Sequence, residues 1–413
     1  MQDNQEDAPV LNGKRILLII AGGIAAYKCL ELIRRLKERG ATVRCILTKS
    51  GAEFVTPLSV STLSEHKVYQ DLFSLTDESE IGHIRLSREA DLLVVAPATA
   101  NILAKMAHGI GDDLATTCLL ATDKPVMVVP AMNGWMWEHQ ATQDNIQTLE
   151  SRGLIRVGPG RGEMAERDEQ GVGRLAEPME ILGEIENFFQ FAERLSGKHA
   201  LVTSGPTYEP IDPVRYIANR SSGKQGHAIA RALHRMGATT TLVSGPSAEP
   251  DPYGVNVVHV ETAQQMFEAC KNALPADVAV CAAAVADWRI EQPASGKIKK
   301  SPDDKPPALM LSENPDILAQ LSAPGNNRPR LVVGFAAETG NVIAHARAKR
   351  ERKQCDWIVA NDVSPSGDGS FGTDDNTVHF ITGENENSWP RASKIAVANQ
   401  LALNIADYLD TTS

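Results

Sequence analysis

One phrase is written twice in this chain, and it narrows the possible folds more than any other feature. Residues 14–51 read KRILLIIAGGIAAYKCLELIRRLKERGATVRCILTKSG; residues 198–245 begin KHALVTSG and end HAIARALHRMGATTTLVSG. Each opens on an apolar run of strand length, passes a glycine-bearing turn, continues with apolar residues at helical spacing, stops at a glycine and returns to an apolar run. That is a strand–helix–strand unit with parallel strands and a right-handed crossover. The spacing predicts Tyr27, Leu30, Ile33 and Leu36 inward in the first helix, with Lys28, Glu31, Arg34, Arg35 and Lys37 outward. In the second copy Ile229, Leu233 and Met236 face inward. Two copies a domain length apart in 413 residues predict two α/β domains, 1–190 and 191–413. The amphipathic stretch EILGEIENFF followed by Ser196 and Gly197 marks the join.

The copies differ in the turn after the first strand. Gly22 and Gly23 make a short one that lacks the full spacing of a dinucleotide fingerprint, yet they open a helix N-terminus suited to phosphate. In the second copy the turn becomes a long loop, 203–226, with three prolines, Tyr216 of a buried type, paired serines and a lysine at the helix mouth. Loops at the carboxyl ends of parallel strands are where such folds keep their ligands. SSGKQG has the wrong glycine spacing for a Walker loop. Residues 92–95 and 126–129 are continuous apolar runs, as strands covered on both faces require, and each leads into a proline and a polar loop. The loops 97–101 and 130–133 are therefore expected side by side. His83 begins a short helix, HIRLSREA, that feeds the first of these strands.

Charge and cysteine content exclude several classes. A net charge of −11 argues against nucleic acid as a partner, so the basic clusters Lys297, Lys299, Lys300 and Lys349, Arg350, Arg352, Lys353 need a reason. Lys349 and Lys353, four apart on a helix, share a face and suit a polyphosphate. The six cysteines form no C-x-x-C pair and mostly sit in apolar runs, which reads as core packing in a reducing compartment. The acidic start has no basic region followed by an apolar stretch, and no run reaches membrane-spanning length, so the expectation is a cytoplasmic protein without signal peptide or membrane partner.

GGIAAYK, GHIRLSREADLLVVAPATAN and PAMNGWMW resemble the flavin-dependent phosphopantothenoylcysteine decarboxylases. SGPTYEPIDPVRYIANRSSGKQG, AAAVADWR, KIKK, NPDI, GFAAET and AND resemble phosphopantothenate–cysteine ligase, and the fused pair resembles the bifunctional coenzyme A biosynthesis family. For the first half the resemblance implies a flavodoxin-like, Rossmann-type FMN domain. FMN would contact Gly22, Gly23, Ile24, Thr48, Ala98, Thr99, Ala100 and Asn101. The implied reaction oxidises the cysteinyl thiol to a thioaldehyde, releases carbon dioxide and returns the enethiolate to a thiol, with His83 moving a proton or placing the carboxylate and Asn133 holding that carboxylate. A flap near 158–174 carries a cysteine in many members; this chain has Glu166 there. Either a protonated Glu166 or another group delivers the proton, or the first half has become a flavin- or partner-binding module beside an active ligase.

For the second half the resemblance implies a Rossmann-like ligase in which CTP activates 4′-phosphopantothenate as an acyl-cytidylate and cysteine's amine attacks it. CTP would meet Ala282, Ala283, Asp287, Lys297, Pro315, Asp316, Ile317, Leu318, Phe335, Lys349 and Lys353. Asp287 would also meet magnesium carried by the triphosphate, Asn219 would turn the acyl-cytidylate over, and Asp212 and Arg215 would hold phosphopantothenate. The assembly implied is a homo-oligomer, a trimer-based decarboxylase core with dimeric ligase contacts. A nicotinamide reductase is the weaker reading, because no acidic residue is suitably placed after residues 43–47.

Overall fold

The structure, a computed structural model of the full chain, describes residues 10–72, 83–163, 170–299, 308–363 and 375–411, without the side chains of residues 83, 84, 163 and 170. It divides into two compact units, Met1–Gln190 and Phe191–Ser413.

The first unit is built on a six-stranded, all-parallel sheet. In chain order the strands are β1 (Arg15–Ile20), β2 (Thr42–Leu47), β3 (Val68–Tyr69), β4 (Leu92–Ala98), β5 (Val126–Pro130) and β6 (Ile155–Arg156), and across the sheet they run β3-β2-β1-β4-β5-β6. This is the doubly wound Rossmann-type order, with a crevice where the order reverses between β1 and β4. Every residue of β4 is buried, because helices cover both faces of the sheet. One face packs Leu18, Val94 and Val129 under the helix Lys28–Glu38; the other packs Leu17, Val95 and Val128 under Ala100–His108. A two-stranded ribbon, β7 (Gly160–Glu163) and β8 (Gln170–Arg174), follows.

The phase of the first helix differs from the sequence expectation. Tyr27 is exposed and Lys28 is buried, along with Cys29, Leu32, Ile33 and Leu36. The reason is a turn of tighter helix at Ile24–Tyr27, which rotates the residues before Lys28 out of the α-helical period.

In the second unit β9 (His199–Ser204), β12 (Thr239–Ser244), β13 (Asn256–His259), β14 (Val278–Cys281), β17 (Leu331–Glu338) and β18 (Trp357–Asp362) take the same spatial order, β13-β12-β9-β14-β17-β18. Two antiparallel strands, β19 (Asp375–Ile381) and β20 (Glu386–Ser393), extend it. Ile229, Leu233 and Met236 are buried as their spacing predicts. Gly40 and Gly237, at φ 88° and 91°, stop the corresponding helices of the two units in a conformation that side chains disfavour. The 203–226 loop holds a small ribbon, β10 (Tyr208–Pro210) with β11 (Tyr216–Ala218), and a second ribbon pairs β15 (Trp288–Ile290) with β16 (Leu311–Glu313). Tyr216 is half exposed, its ring stacked 4.0 Å from that of Tyr208, so a partner ring and not the core covers one face. All six cysteines are free. Among the described residues no helix is long and apolar enough to cross a membrane.

Candidate active sites

In the first unit the carboxyl ends of β1, β2 and β4 frame a cavity of about 620 Å³, within the range of small-molecule sites. Gly22 passes so close to the β2 exit that a side-chain carbon on it would lie 2.5 Å from Cβ of Ser50. Thr48 ties the two exits together: its Oγ1 donates to the Ile20 carbonyl at 3.2 Å and accepts from the Gly51 amide at 3.0 Å. Thr99 caps Ala100–His108 by accepting from Ile102 N at 3.3 Å. Gly22, Gly23, Thr48, Thr99 and Asn101 line this cavity together; Ile24, Ala98 and Ala100 do not. Ile24 is exposed, and Ala98 is buried with its carbonyl accepting the Ala131 amide at 3.0 Å.

Lys105 also lines the cavity, but it pairs with Asp112 at 2.7 Å and Asp113 at 3.7 Å. The Asp112 hydrogen bond is the main cause that raises its pKa, ahead of opposing burial. The donors left to a ligand include backbone amides, hydroxyls, the Asn101 amide and the exposed Lys49, which also lines the cavity. That is a cradle for a phosphate and polar ring edges, and it fits a flavin mononucleotide.

Beside this cavity, as the paired prolines predict, the 130–133 loop lies next to the 97–101 loop, with Ala98 opposite Pro130. Asn133 caps the short helix Gly134–Glu138, its Oδ1 accepting from Trp135 N at 2.8 Å and Met136 N at 3.4 Å. The Met132 amide donates to the Gly173 carbonyl at 2.9 Å, which fastens this loop to β8. Buried Lys28 pairs with Glu177 at 2.8 Å, and Glu177 pairs with Arg174 of β8 at 2.7 Å. The Lys28 hydrogen bond is the first cause that holds the Glu177 carboxyl below its usual range. Sequence reasoning missed this triad by placing Lys28 outward. His83 opens the helix His83–Glu89, its side chain outside the described residues, as is all of Glu166.

In the second unit a cavity of about 480 Å³ lies at the carboxyl ends of β9, β14 and β17. It brings together Ala283, Asp287, Pro315, Asp316, Ile317, Leu318, Phe335, Lys349 and Lys353, and leaves Ala282 and Lys297 off its lining. The strand-exit loop is held from behind: Thr203 Oγ1 accepts from Ala283 N at 3.2 Å and Thr207 Oγ1 from Ala286 N at 3.0 Å. Lys349 Nζ donates to the Phe335 carbonyl at 2.9 Å. Burial is the main cause that lowers its pKa; nearby Glu338 opposes the shift, while Lys353 and Arg352 add to it. Lys353 pairs with Asp316, whose other oxygen caps Ile317–Ser322 through Ala319 N at 3.0 Å. Asn219 reaches the rim, its amide donating to the Val285 carbonyl at 2.8 Å.

Thr203, Asn314 and Glu338 also line the cavity and had no role in the sequence reading, and Arg352 of the basic cluster joins them. Asn314, in the NPDI motif, donates to the Ala286 carbonyl at 2.9 Å and orders the loop facing Asp287. Its place before Pro315 was the signal available. Among the described residues no group of three or more His, Cys, Asp or Glu is arranged to hold a metal.

Asp212, predicted for substrate, is buried and accepts from the amides of Val214 at 2.8 Å, Arg215 at 2.9 Å and Ile298 at 3.2 Å. Burial alone raises its pKa, but those amides and the Arg215 charge outweigh it, and the carboxyl sits below its ordinary value. Lys300 and residues 364–374 lie outside the described residues.

Comparison with known proteins places this pair of sites in a class. Residues 5–190 match the Flavoprotein family, and residues 195–409 match the DNA/pantothenate metabolism flavoprotein C-terminal domain. The chain is thus a flavoprotein domain joined to that second domain. The coenzyme A biosynthesis bifunctional protein CoaBC of Vibrio vulnificus strain YJ016 is 48% identical over 396 residues, covering 96% of this chain and 98% of its own. The Escherichia coli K12 protein of that name is 45% identical over 387 residues, covering 93% and 94%. The chain belongs to the family of bifunctional coenzyme A biosynthesis proteins. A crystal structure of the C-terminal domain of a CoaBC protein is 36% identical, covering 53% of this chain and 100% of its own, with a TM-score of 0.45.

Proposed function

We propose that this chain carries out two consecutive reactions of coenzyme A biosynthesis. Residues 191–413 join cysteine to 4′-phosphopantothenate with CTP, and residues 1–190 decarboxylate the product to 4′-phosphopantetheine with FMN. The observation that carries this reading is that each unit has its own cavity at the carboxyl edge of its sheet, differently equipped. The match to bifunctional relatives over 93% to 96% of this chain favours two working sites over a ligase beside a mere binding module.

In the ligase unit Lys349 and Lys353 take the triphosphate, and Asp287, exposed at the mouth, meets magnesium held chiefly by phosphate oxygens. Pro315, Asp316, Ile317, Leu318 and Phe335 enclose the base; Ala282 and Ala283 let the strand-exit backbone approach the nucleotide. Asn219, steadied on Val285, is placed to stabilise charge that develops at the acyl carbon, with Lys297 assisting. Arg215 contributes to holding the substrate phosphate.

In the decarboxylase unit FMN, when bound, supplies the two-electron chemistry; the chain's own residues orient and protonate. Gly22, Gly23 and Thr48 hold the phosphate end, and Thr99 and Asn101, with the neighbouring Ala98 and Ala100, border the ring. Asn133, its oxygen engaged as a helix cap, is the residue that would hold the substrate carboxylate. His83 moves the proton near neutral pH, and Glu166, which stands in the sequence where many members have a cysteine, substitutes for it.

Exposed Ile24, Tyr27, Trp135 and Met136 in the first unit, and Val214, Tyr216, Trp288 and Met310 in the second, support a homo-oligomer; the trimeric decarboxylase core and dimeric ligase contacts are what the family resemblance implies. The experiment is a pair of variants. Lys297→Gln should make no amide yet still decarboxylate added phosphopantothenoylcysteine; His83→Asn should make the amide and stop there. Amide formation by Lys297→Gln at the wild-type rate, or protein that purifies without flavin, would contradict the proposal.

A further inference from the structure

We infer that Asp212 is a positioning residue for the ligation: with Arg215 it clamps the backbone of Ile298, and so holds the lysine-bearing 297–299 segment against the 203–226 loop. The inference rests on the ligase reading above, in which Lys297 acts.

The geometry is a two-point grip. Asp212 Oδ1 accepts from the Val214 and Arg215 amides and closes a turn. Its Oδ2 accepts from the Ile298 amide at 3.2 Å and pairs with the Arg215 guanidinium at 3.0 Å. The same guanidinium donates to the Ile298 carbonyl at 2.6 Å. Both backbone groups of Ile298 are therefore held across more than eighty residues of sequence, and the Ala294 amide adds a tie to the Ile211 carbonyl at 2.9 Å.

Burial decides between gripping and binding. The Asp212 side chain is 0% exposed and four donors converge on it, whereas Lys297 and Lys299 on either side of Ile298 are exposed. A carboxylate so enclosed has no free face for a second anion-bearing molecule, and an unpartnered carboxylate would repel a phosphate in any case. What it can do is fix the one residue between two lysines that otherwise stand on irregular backbone. A cationic side chain acting on a developing charge loses its effect with displacements of about 1 Å, so the clamp matters to turnover more than to affinity.

The test uses the full chain and an isosteric change. Asp212→Asn keeps an oxygen for the Val214 and Arg215 amides but turns an NH2 group toward the Ile298 N–H and the Arg215 guanidinium, which breaks the grip alone. Ile298→Pro removes the gripped N–H from the other side. We expect each variant to lower ligation kcat by roughly ten- to a hundred-fold at little change in KM, and trypsin to cut faster by a similar factor, after Lys297 and Lys299 in Asp212→Asn and after Lys299 in Ile298→Pro, whose Lys297–Pro bond trypsin does not cleave. Decarboxylation of added phosphopantothenoylcysteine serves as the control for an intact chain. Wild-type cleavage rates in both variants would overturn the clamp. So would a raised KM for phosphopantothenate at unchanged kcat in Asp212→Asn, the signature of a substrate ligand. If the wild-type chain forms no amide, the ligase reading fails, while the cleavage comparison still decides the clamp.

Discussion

The two units share a six-strand order and differ in how their cavities meet charge. In the first, Lys105 in the cavity wall is neutralised by two aspartates and its pKa is raised, and the other lining lysine, Lys49, is exposed to solvent. In the second, the hydrogen-bond partner of Lys349 among the described residues is a backbone carbonyl, and Lys349 sits beside two more cations and has its pKa lowered. The first arrangement suits a cofactor that stays bound through many fixed polar contacts. The second keeps cationic charge desolvated and ready, which suits a triphosphate that arrives and leaves with each turnover. A common scaffold thus carries two electrostatic designs.

The largest expected effect separates the cavities by close packing. A side-chain carbon on Gly245 would fall 1.8 Å from the Pro206 carbonyl oxygen, a backbone atom that cannot yield cheaply. Gly245→Val should cost more than about 4 kcal/mol in the second unit and abolish ligation. At Gly22 the nearest obstacles are Ser50 Cβ at 2.5 Å and the Ser50 carbonyl group at 3.2 Å, a wider approach than at Gly245, so Gly22→Val should cost about 1–3 kcal/mol and strip flavin while sparing ligation. Thermal unfolding and flavin content check both; equal losses in the two units would break the distinction.

Next comes charge. Lys349→Met should lower kcat/KM for CTP by about a hundred-fold, whereas Lys105→Met should change decarboxylation by less than about five-fold. Steady-state kinetics on both variants sharpen the contrast. The pH dependence runs the same way. A lysine whose pKa is lowered loses its charge at a lower pH than an ordinary lysine, so CTP affinity should fall as pH rises through that value. Flavin affinity should not follow, since the raised pKa keeps Lys105 charged. Calorimetric titration with CTP across the alkaline range measures this; a flat profile contradicts it.

The smallest effects concern helix caps. Thr99→Ala at the first cavity and Thr262→Ala, which caps Ala263–Asn272 away from the second, should each cost about 1 kcal/mol. Only the first should also weaken flavin binding, as fluorescence of released flavin would report.

The sheets were legible because covered parallel strands are continuous apolar runs, as at 92–95 and 126–129. The adjacency of the 97–101 and 130–133 loops followed from strand order. Burial within the first helix was not legible, since a short tight turn shifts its phase and an ion pair to Glu177, far along the chain, lets Lys28 go inside. Of the second site, helical spacing placed Lys349 and Lys353 together correctly. The contacts of Asp212 with Ile298 span 86 residues, and no local pattern encodes such a tie.

The central claim is that both cavities work in one chain. Purified protein should be given 4′-phosphopantothenate, cysteine, CTP and magnesium, and the products followed by mass spectrometry. The prediction is 4′-phosphopantetheine with only transient phosphopantothenoylcysteine. Accumulation of phosphopantothenoylcysteine, or of an oxidised and decarboxylated species that never reaches the thiol, would contradict it.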